Sequence, residues 1–162
     1  KIISRSEPYV AVGVPVAMAV AAWIKHDKGL LKDAVYVGTS VAGAFVVTYG
    51  MKYLVDRERP YDKYPDRVHA YSHEGSPSFP SGHTAAAFMA ATLLYKEYGF
   101  KGYWVGLVAY AAAIVTGFTR ILNNRHWLFD VIIGAALGIL LTDLAFRLVQ
   151  LIFKDRGLIQ HK

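Results

Sequence analysis

Three stretches of this chain run without a charged residue for longer than a β-strand normally extends. Pro8 to Ile24 is charge-free over 17 residues, and Ala34 to Met51 and Gly102 to Thr119 are each charge-free over 18. Strands usually span about 3–10 residues, so runs of this length predict helices. Two further helices follow from local punctuation. One begins after Pro80-Ser81-Gly82 and continues to about Tyr98, where Gly99 gives a stop signal; the other begins near His126 and continues to about Phe153. The expectation is therefore an all-α fold, an up-and-down bundle of about five helices near 8–25, 32–56, 82–98, 102–121 and 126–153. No linker or internal repeat divides the chain, which reads as a single domain over residues 1–162.

The runs sit at the threshold of about 18 residues that separates membrane spans from buried core helices. Gly102-x-x-x-Gly106 and Gly134-x-x-x-Gly138 would let helices approach closely in lipid. Such spacings also arise by chance in helices rich in alanine and glycine. The residues A, V, I, L, M, F, W, Y and C make up 54% of the chain, which excludes a disordered polymer. A membrane-embedded bundle is the preferred expectation, with a soluble, tightly packed one as its alternative. Trp23, Tyr103, Trp104 and Trp127 lie near run ends, where they suit an interfacial belt or a core equally. The absence of cysteine excludes a disulfide scaffold, a thiolate zinc site and a cysteine nucleophile. Lys1 in place of an initiator methionine suggests a processed or trimmed chain, with room for a targeting segment or a further helix upstream.

The formal charge of +6 needs its own explanation, because such a surplus points to nucleic acid or to an anionic membrane surface. Three clusters carry it toward chemistry. Lys52-x6-Arg59-Pro60 closes the second helix, and two cations there suit a phosphate, although a basic helix end snorkelling to water fits as well. Pro80-Ser81-Gly82-His83 opens the third helix. Ser81 is a credible N-cap, Gly82 lets a ligand approach the backbone, and His83 can deliver a proton; an ordinary capped start is the plainer alternative. Thr119-Arg120-x5-His126-x3-Asp130 places His126 and Asp130 four residues apart on one helical face. A carboxylate there can fix the imidazole tautomer and leave the other nitrogen as base or nucleophile, or form a simple ion pair. Alternating helix directions bring all three clusters to one end of the bundle, which three unrelated surface features would not require.

At these residues the chain resembles the type 2 phosphatidic acid phosphatase (PAP2) superfamily, whose relatives include bacterial acid phosphatases and vanadium haloperoxidases. The family pattern K-x6-R-P, P-S-G-H and S-R-x5-H-x3-D is matched in order at ten fixed positions between Lys52 and Asp130, with Thr119 where serine is usual. The resemblance implies that His126 attacks phosphorus and forms a phosphohistidine, that Asp130 orients it, and that His83 is the general acid and later the base. It implies that Lys52, Arg59 and Arg120 hold the phosphoryl oxygens, that Ser81 and the Gly82 amide complete the cradle, and that no metal or cofactor is required. Arg57, Lys63 and Arg125 border the site, where they could steer an anion or be solvated charges. His69 and His73 fall in the loop from Pro60 to Pro80, as substrate-tuning or plain surface residues.

Nine Lys and Arg residues fall opposite the motifs, namely Lys25, Lys28, Lys32, Lys96, Lys101, Arg147, Lys154, Arg156 and Lys162. Nine also fall at the motif end, but three of those are committed to phosphate. The excess places the opposite end in the cytoplasm and the site toward the periplasm or exterior of a multi-pass inner-membrane protein. The expected partners are a phosphorylated lipid substrate and membrane lipids, with no nucleic acid. The alternatives are a soluble periplasmic non-specific acid phosphatase, a vanadium haloperoxidase and an inactive lipid-binding protein.

Overall fold

The computed structural model describes residues 3–70, 73–99 and 102–152, all of them helical or irregular, with no strand among the described residues. Its helices are α1 (Ile3–Lys25), α2 (Lys28–Val55), α3 (Pro60–Lys63), α4 (Gly82–Tyr98), α5 (Tyr103–Leu122) and α6 (Leu128–Ile152). The five long helices match the three charge-free runs and the two helices expected from local punctuation. The first starts five residues earlier than its run, because Ser and Glu are tolerated in a helical turn even where apolar patterning stops. The single turn α3 was not expected. Pro60 at its first position presets the helical φ, and the Lys63 and Tyr64 amides close onto Arg59 and Pro60 carbonyls. Phe153 lies outside the described residues, as do Lys101, Lys154, Arg156 and Lys162 of the charge count.

The helices group into two compact units, residues 1–43 with 144–162, and residues 44–143. In the first, Asp27 starts α2 by accepting from the Gly29 and Leu30 amides through Oδ1. Tyr36 meets Phe146 edge-on at 5.2 Å between ring centroids, and Ala22, Ala34, Ala145 and Val149 are buried.

In the second unit the contacts fix helix direction. Along α4 and α5 they run in opposite order: Thr92 Oγ1 lies 2.9 Å from the Tyr110 hydroxyl, while Thr84, about two helical turns earlier on α4, faces Gly117. Along α4 and α6 they run in the same order, Ser81 against Gly134 and Ala85 against Gly138. So α4 and α6 begin at the same end, where α5 finishes. These two glycines are demanded by packing: a Cβ at Gly134 would stand 2.5 Å from the Ser81 carbonyl oxygen, and one at Gly138 would overlap the Ala85 carbonyl.

Three segments, Lys28–Lys63, Tyr103–Leu122 and Leu128–Ile152, are long and apolar enough to cross a bilayer, yet only 22%, 22% and 28% of each apolar window is buried. Val108, Val115, Leu122, Leu140 and Leu151 all stand more than 60% exposed. Apolar faces this broad have no stable place in water. They belong to lipid, and the protein is a membrane protein rather than a soluble bundle. Trp23, Tyr103 and Trp104 are exposed, which removes the core alternative for those three.

Gly134→Ala is expected to lose about 1–3 kcal/mol by forcing α6 off α4, seen as a lower melting temperature in detergent. Gly43→Ala, where a Cβ meets nothing within 4 Å, is expected to melt at or above the wild-type temperature.

Candidate active site

The second unit carries, at the end where α4 and α6 begin, a cluster of polar groups withdrawn from solvent. Lys52, Arg59, Ser81, Arg120, His126 and Asp130 are all buried. His83, in the first turn of α4, is half-buried. Local structure explains their positions. α2 stops at Val55 because Asp56 turns left-handed at φ 45° while its amide returns to the Lys52 carbonyl. Arg59 is then carried back under the helix end. α5 stops at Leu122, and Asn124 adopts φ 55°, a conformation asparagine tolerates, which directs the chain into His126.

The segment from Glu74 to Ser81 threads through this cluster and supplies its acceptors. Arg59 Nε donates to the Ser76 carbonyl at 2.9 Å, and Nη1 donates to the Arg125 carbonyl at 2.9 Å. Lys52 Nζ donates to the Pro77 carbonyl at 2.7 Å. The Ser78 amide donates to the Arg57 carbonyl at 2.7 Å, and the Ser81 amide to the Asp130 carbonyl at 3.0 Å. Ser81 Oγ caps α4, accepting from the Thr84 amide at 3.5 Å and lying 2.8 Å from Thr84 Oγ1.

The imidazole of His126 is oriented by the backbone. Nδ1 lies 2.8 Å from the Ser78 carbonyl oxygen, which can only accept, so Nδ1 carries the proton and Nε2 holds the lone pair. Nε2 lies 3.4 Å from Arg59 Nη1. The sequence suggests Asp130 as the orienting partner, but its Oδ2 is 3.7 Å from Nδ1, beyond hydrogen-bond range. Asp130 is instead fixed on every side: Oδ1 pairs with Arg57 Nη1 at 2.9 Å, and Oδ2 accepts from Ser78 Oγ and from the Trp127 amide at 2.9 Å. Its negative charge still lies beside the ring. The two side chains also share Ser78, whose carbonyl faces His126 Nδ1 and whose hydroxyl donates to Asp130.

Two residues missed at the sequence level, Ser78 and Glu74, and one read there only as a flanking charge, Arg57, complete the site. Ser78 serves both members of the His126–Asp130 pair. Arg57, which borders the motifs, is the ion-pair partner of Asp130 and lies 5.4 Å over the Trp127 ring. Glu74 sits among the arginines, with Oε2 2.8 Å from Arg59 Nη2 and Oε1 2.5 Å from Arg120 Nη2 and 3.2 Å from Arg125 Nη1. Glu74 lies outside every helix and belongs to no repeated spacing, so only its proximity to the P-S-G-H motif could have signalled it. Lys63 and Arg57 line a cavity of about 200 Å³ with Glu58, Tyr64 and Trp127. Thr119 is exposed and spends its hydroxyl on the Thr116 carbonyl. His69 and His73 are surface residues, His73 edge-on to Tyr61.

The electrostatics follow from this crowding. Burial lowers the affinity of His126 for a second proton, and Arg59, Lys52 and Arg120 lower it further, against the opposing pull of Asp130. The ring is therefore neutral at pH 7. Burial would raise the Glu74 carboxyl, but Arg59 and Arg120, with His83 and His126 behind them, outweigh it and hold it at about 2.

Because His126 binds its proton less readily folded than unfolded, stability is complete above about pH 6.5 and is lost as pH falls below it. The melting temperature in detergent is expected to fall between pH 7.5 and 5.5, with a shallower slope for His126→Gln. Equal slopes would mean that His126 is not held neutral.

The comparisons with known proteins agree with this geometry. The family model described as PAP2 superfamily matches residues 33–154. The lipid A 1-phosphatase of Porphyromonas gingivalis is 51% identical over 78 residues, 48% of this chain and 18% of that protein. The lipid A 1-phosphatase of Rhizobium etli is 34% identical over 133 residues, 74% of this chain and 53% of that protein. The chain thus spans about half the length, or less, of these curated relatives. The crystal structure of a transmembrane PAP2 type phosphatidylglycerolphosphate phosphatase from Bacillus subtilis superposes with a TM-score of 0.65 at 25% identity, over 89% of this chain and 71% of that one. A family match that takes in α4, α5 and α6, together with the helix ends that build the buried cluster, makes this chain a member of the PAP2 superfamily.

Proposed function

We propose that the protein is a lipid phosphatase, acting as one domain, that removes a phosphate monoester or the terminal phosphate of a pyrophosphate from an amphiphile. The observation that carries this reading is His126: a buried, neutral imidazole whose Nδ1–H is tied to Ser78 and whose Nε2 faces Arg59, in a protein whose helices face lipid.

In the proposed reaction Arg59, Arg120 and Lys52 hold the phosphoryl oxygens and offset the charge that builds on them. The Ser81 hydroxyl and the Gly82 amide complete the cradle at the start of α4. A Cβ at Gly82 would meet nothing closer than Thr48 Cγ2 at 3.8 Å, so packing does not ask for glycine there and close ligand approach accounts for it. Nε2 of His126 attacks phosphorus as the bond to the leaving oxygen breaks, and His83 protonates that oxygen. The new phosphohistidine ring is cationic, and Asp130, held by Arg57 and Ser78, supplies the compensating charge. His83 then takes a proton from water, whose oxygen attacks phosphorus, releasing phosphate and restoring neutral His126.

The names of the relatives favour a lipid substrate, with lipid A 1-phosphate first and phosphatidate, phosphatidylglycerophosphate and undecaprenyl pyrophosphate as the remaining candidates. The excess of Lys and Arg that the sequence assigns to the opposite end supports a site that faces the periplasm or exterior of the inner membrane.

The direct test is phosphate release from that panel in detergent, together with acid-labile labelling of the protein by a radiophosphorylated substrate. His126→Ala is expected to abolish both, and retention of either overturns the assigned nucleophile. The rate of label formation is expected to decline on acidification with a midpoint below about 6.5, the ordinary histidine value. A midpoint above that value contradicts a ring kept neutral by its surroundings.

A further inference from the structure

Two of the cations that the proposed reaction gives to phosphate already hold an anion. Glu74 bridges Arg59 and Arg120 through its two carboxylate oxygens, and Arg125 reaches the same Oε1. The spacing is that of a two-oxygen ligand on a cationic seat, and the ligand belongs to the protein. Its backbone is anchored independently of that carboxylate: the Glu74 amide donates to the Tyr61 hydroxyl at 2.9 Å, and Ser76 and Pro77, further along, receive Arg59 and Lys52. Gly75 beside it is exposed. The side chain can therefore leave the seat by rotation alone, while the segment that orients His126 stays in place.

A phosphoryl group that reaches His126 Nε2 must contact Arg59, whose Nη1 lies 3.4 Å from that nitrogen. It cannot do so on full terms while Glu74 holds Nη2 and Arg120. We infer that Glu74 is a specificity-determining residue, an internal carboxylate that competes for the Arg59–Arg120–Arg125 seat and yields only to a ligand of higher charge. A terminal phosphate carries close to two negative charges and three free oxygens, so it outbids one carboxylate. A phosphodiester carries one charge and two free oxygens and gains nothing by the exchange. The filter thus selects terminal phosphates over the diester links of ordinary phospholipids, which surround the protein in large excess. The same carboxylate returns to the seat after hydrolysis and helps inorganic phosphate leave. This inference rests on the proposed phosphatase reading and deepens it.

The test is direct binding by calorimetry of inorganic phosphate and dimethyl phosphate to the full chain in detergent, for the wild type and Glu74→Gln. Removing the competitor is expected to tighten inorganic phosphate about tenfold, the scale of one lost charge-assisted hydrogen bond. It is expected to bring dimethyl phosphate, whose weaker hold does not cover the cost of displacing Glu74 in the wild type, from undetectable into measurable binding. Unchanged or weaker phosphate binding by Glu74→Gln, at an unaltered melting temperature, overturns the inference and leaves Glu74 as a brace for the arginines. If Glu74→Gln is unstable, added phosphate must restore its melting temperature, because phosphate then fills the place of the missing charge. Failure of that rescue, with Glu74→Asp binding phosphate no tighter than the wild type, also overturns it. The two readings fail separately. Wild-type turnover with no tightening in Glu74→Gln sinks the filter alone, whereas tightening without turnover of any phosphate ester sinks the phosphatase reading alone.

Discussion

A guanidinium that is 1% exposed has to find its acceptors inside the protein, and the head of the second unit is arranged around where Arg59 finds them. Leaving such a charge unmatched would cost several kcal/mol. Its N–H groups reach the Ser76 and Arg125 carbonyls and the Glu74 carboxylate, three points that come from two separate stretches of chain. Satisfying one buried cation therefore pulls the 74–77 segment against the turn before α6. Lys52 tightens the same segment through Pro77. Once the segment is there, Ser78 is beside His126, and its carbonyl and hydroxyl are close enough to set the ring and steady Asp130. The donors that would meet a phosphate are thus held in place before any phosphate arrives, and only the Glu74 side chain has to give way.

What the sequence made legible and what it concealed divide along a physical line. Helices announce themselves locally, by charge-free runs and by caps such as Ser81, and their alternation is enough to gather Lys52, Arg59, His83, Arg120, His126 and Asp130. Ser78 and Glu74 act through partners 52 and 46 positions away, Asp130 and Arg120, and no periodicity marks such a residue. Arg57 was visible but misplaced: a flanking cation by sequence, it is the partner of Asp130 by geometry. The direct His126–Asp130 bond suggested by four-residue spacing is absent because α6 is first helical at Leu128, so His126 precedes the helix and answers to the loop instead.

The membrane explains why so much polarity is concentrated at one place. Where lipid surrounds the helices, side chains facing outward can be apolar throughout, and helix contacts rely on small residues and backbone proximity rather than on water exclusion. Gly134 and Gly138 let α6 lie against the first turns of α4 at backbone distance, and Thr84, Thr92 and Thr142 keep their hydroxyls inside the unit. The apolar faces need no ions, so the charges left over can be spent at the helix ends.

The Ser81 amide donates to the Asp130 carbonyl, so the chain entering α4 is tied by main chain to the first turn of α6. His83 and His126 are thereby placed relative to each other by a crosslink at the helix heads, independent of the length of the α4–α5 hairpin between them. That hairpin can grow or shrink by matched turns at its far end and leave the two histidines where they are. A polar head of fixed dimensions can in this way ride on helices cut to different hydrocarbon thicknesses, which lets one site geometry be fitted to bilayers of unequal depth.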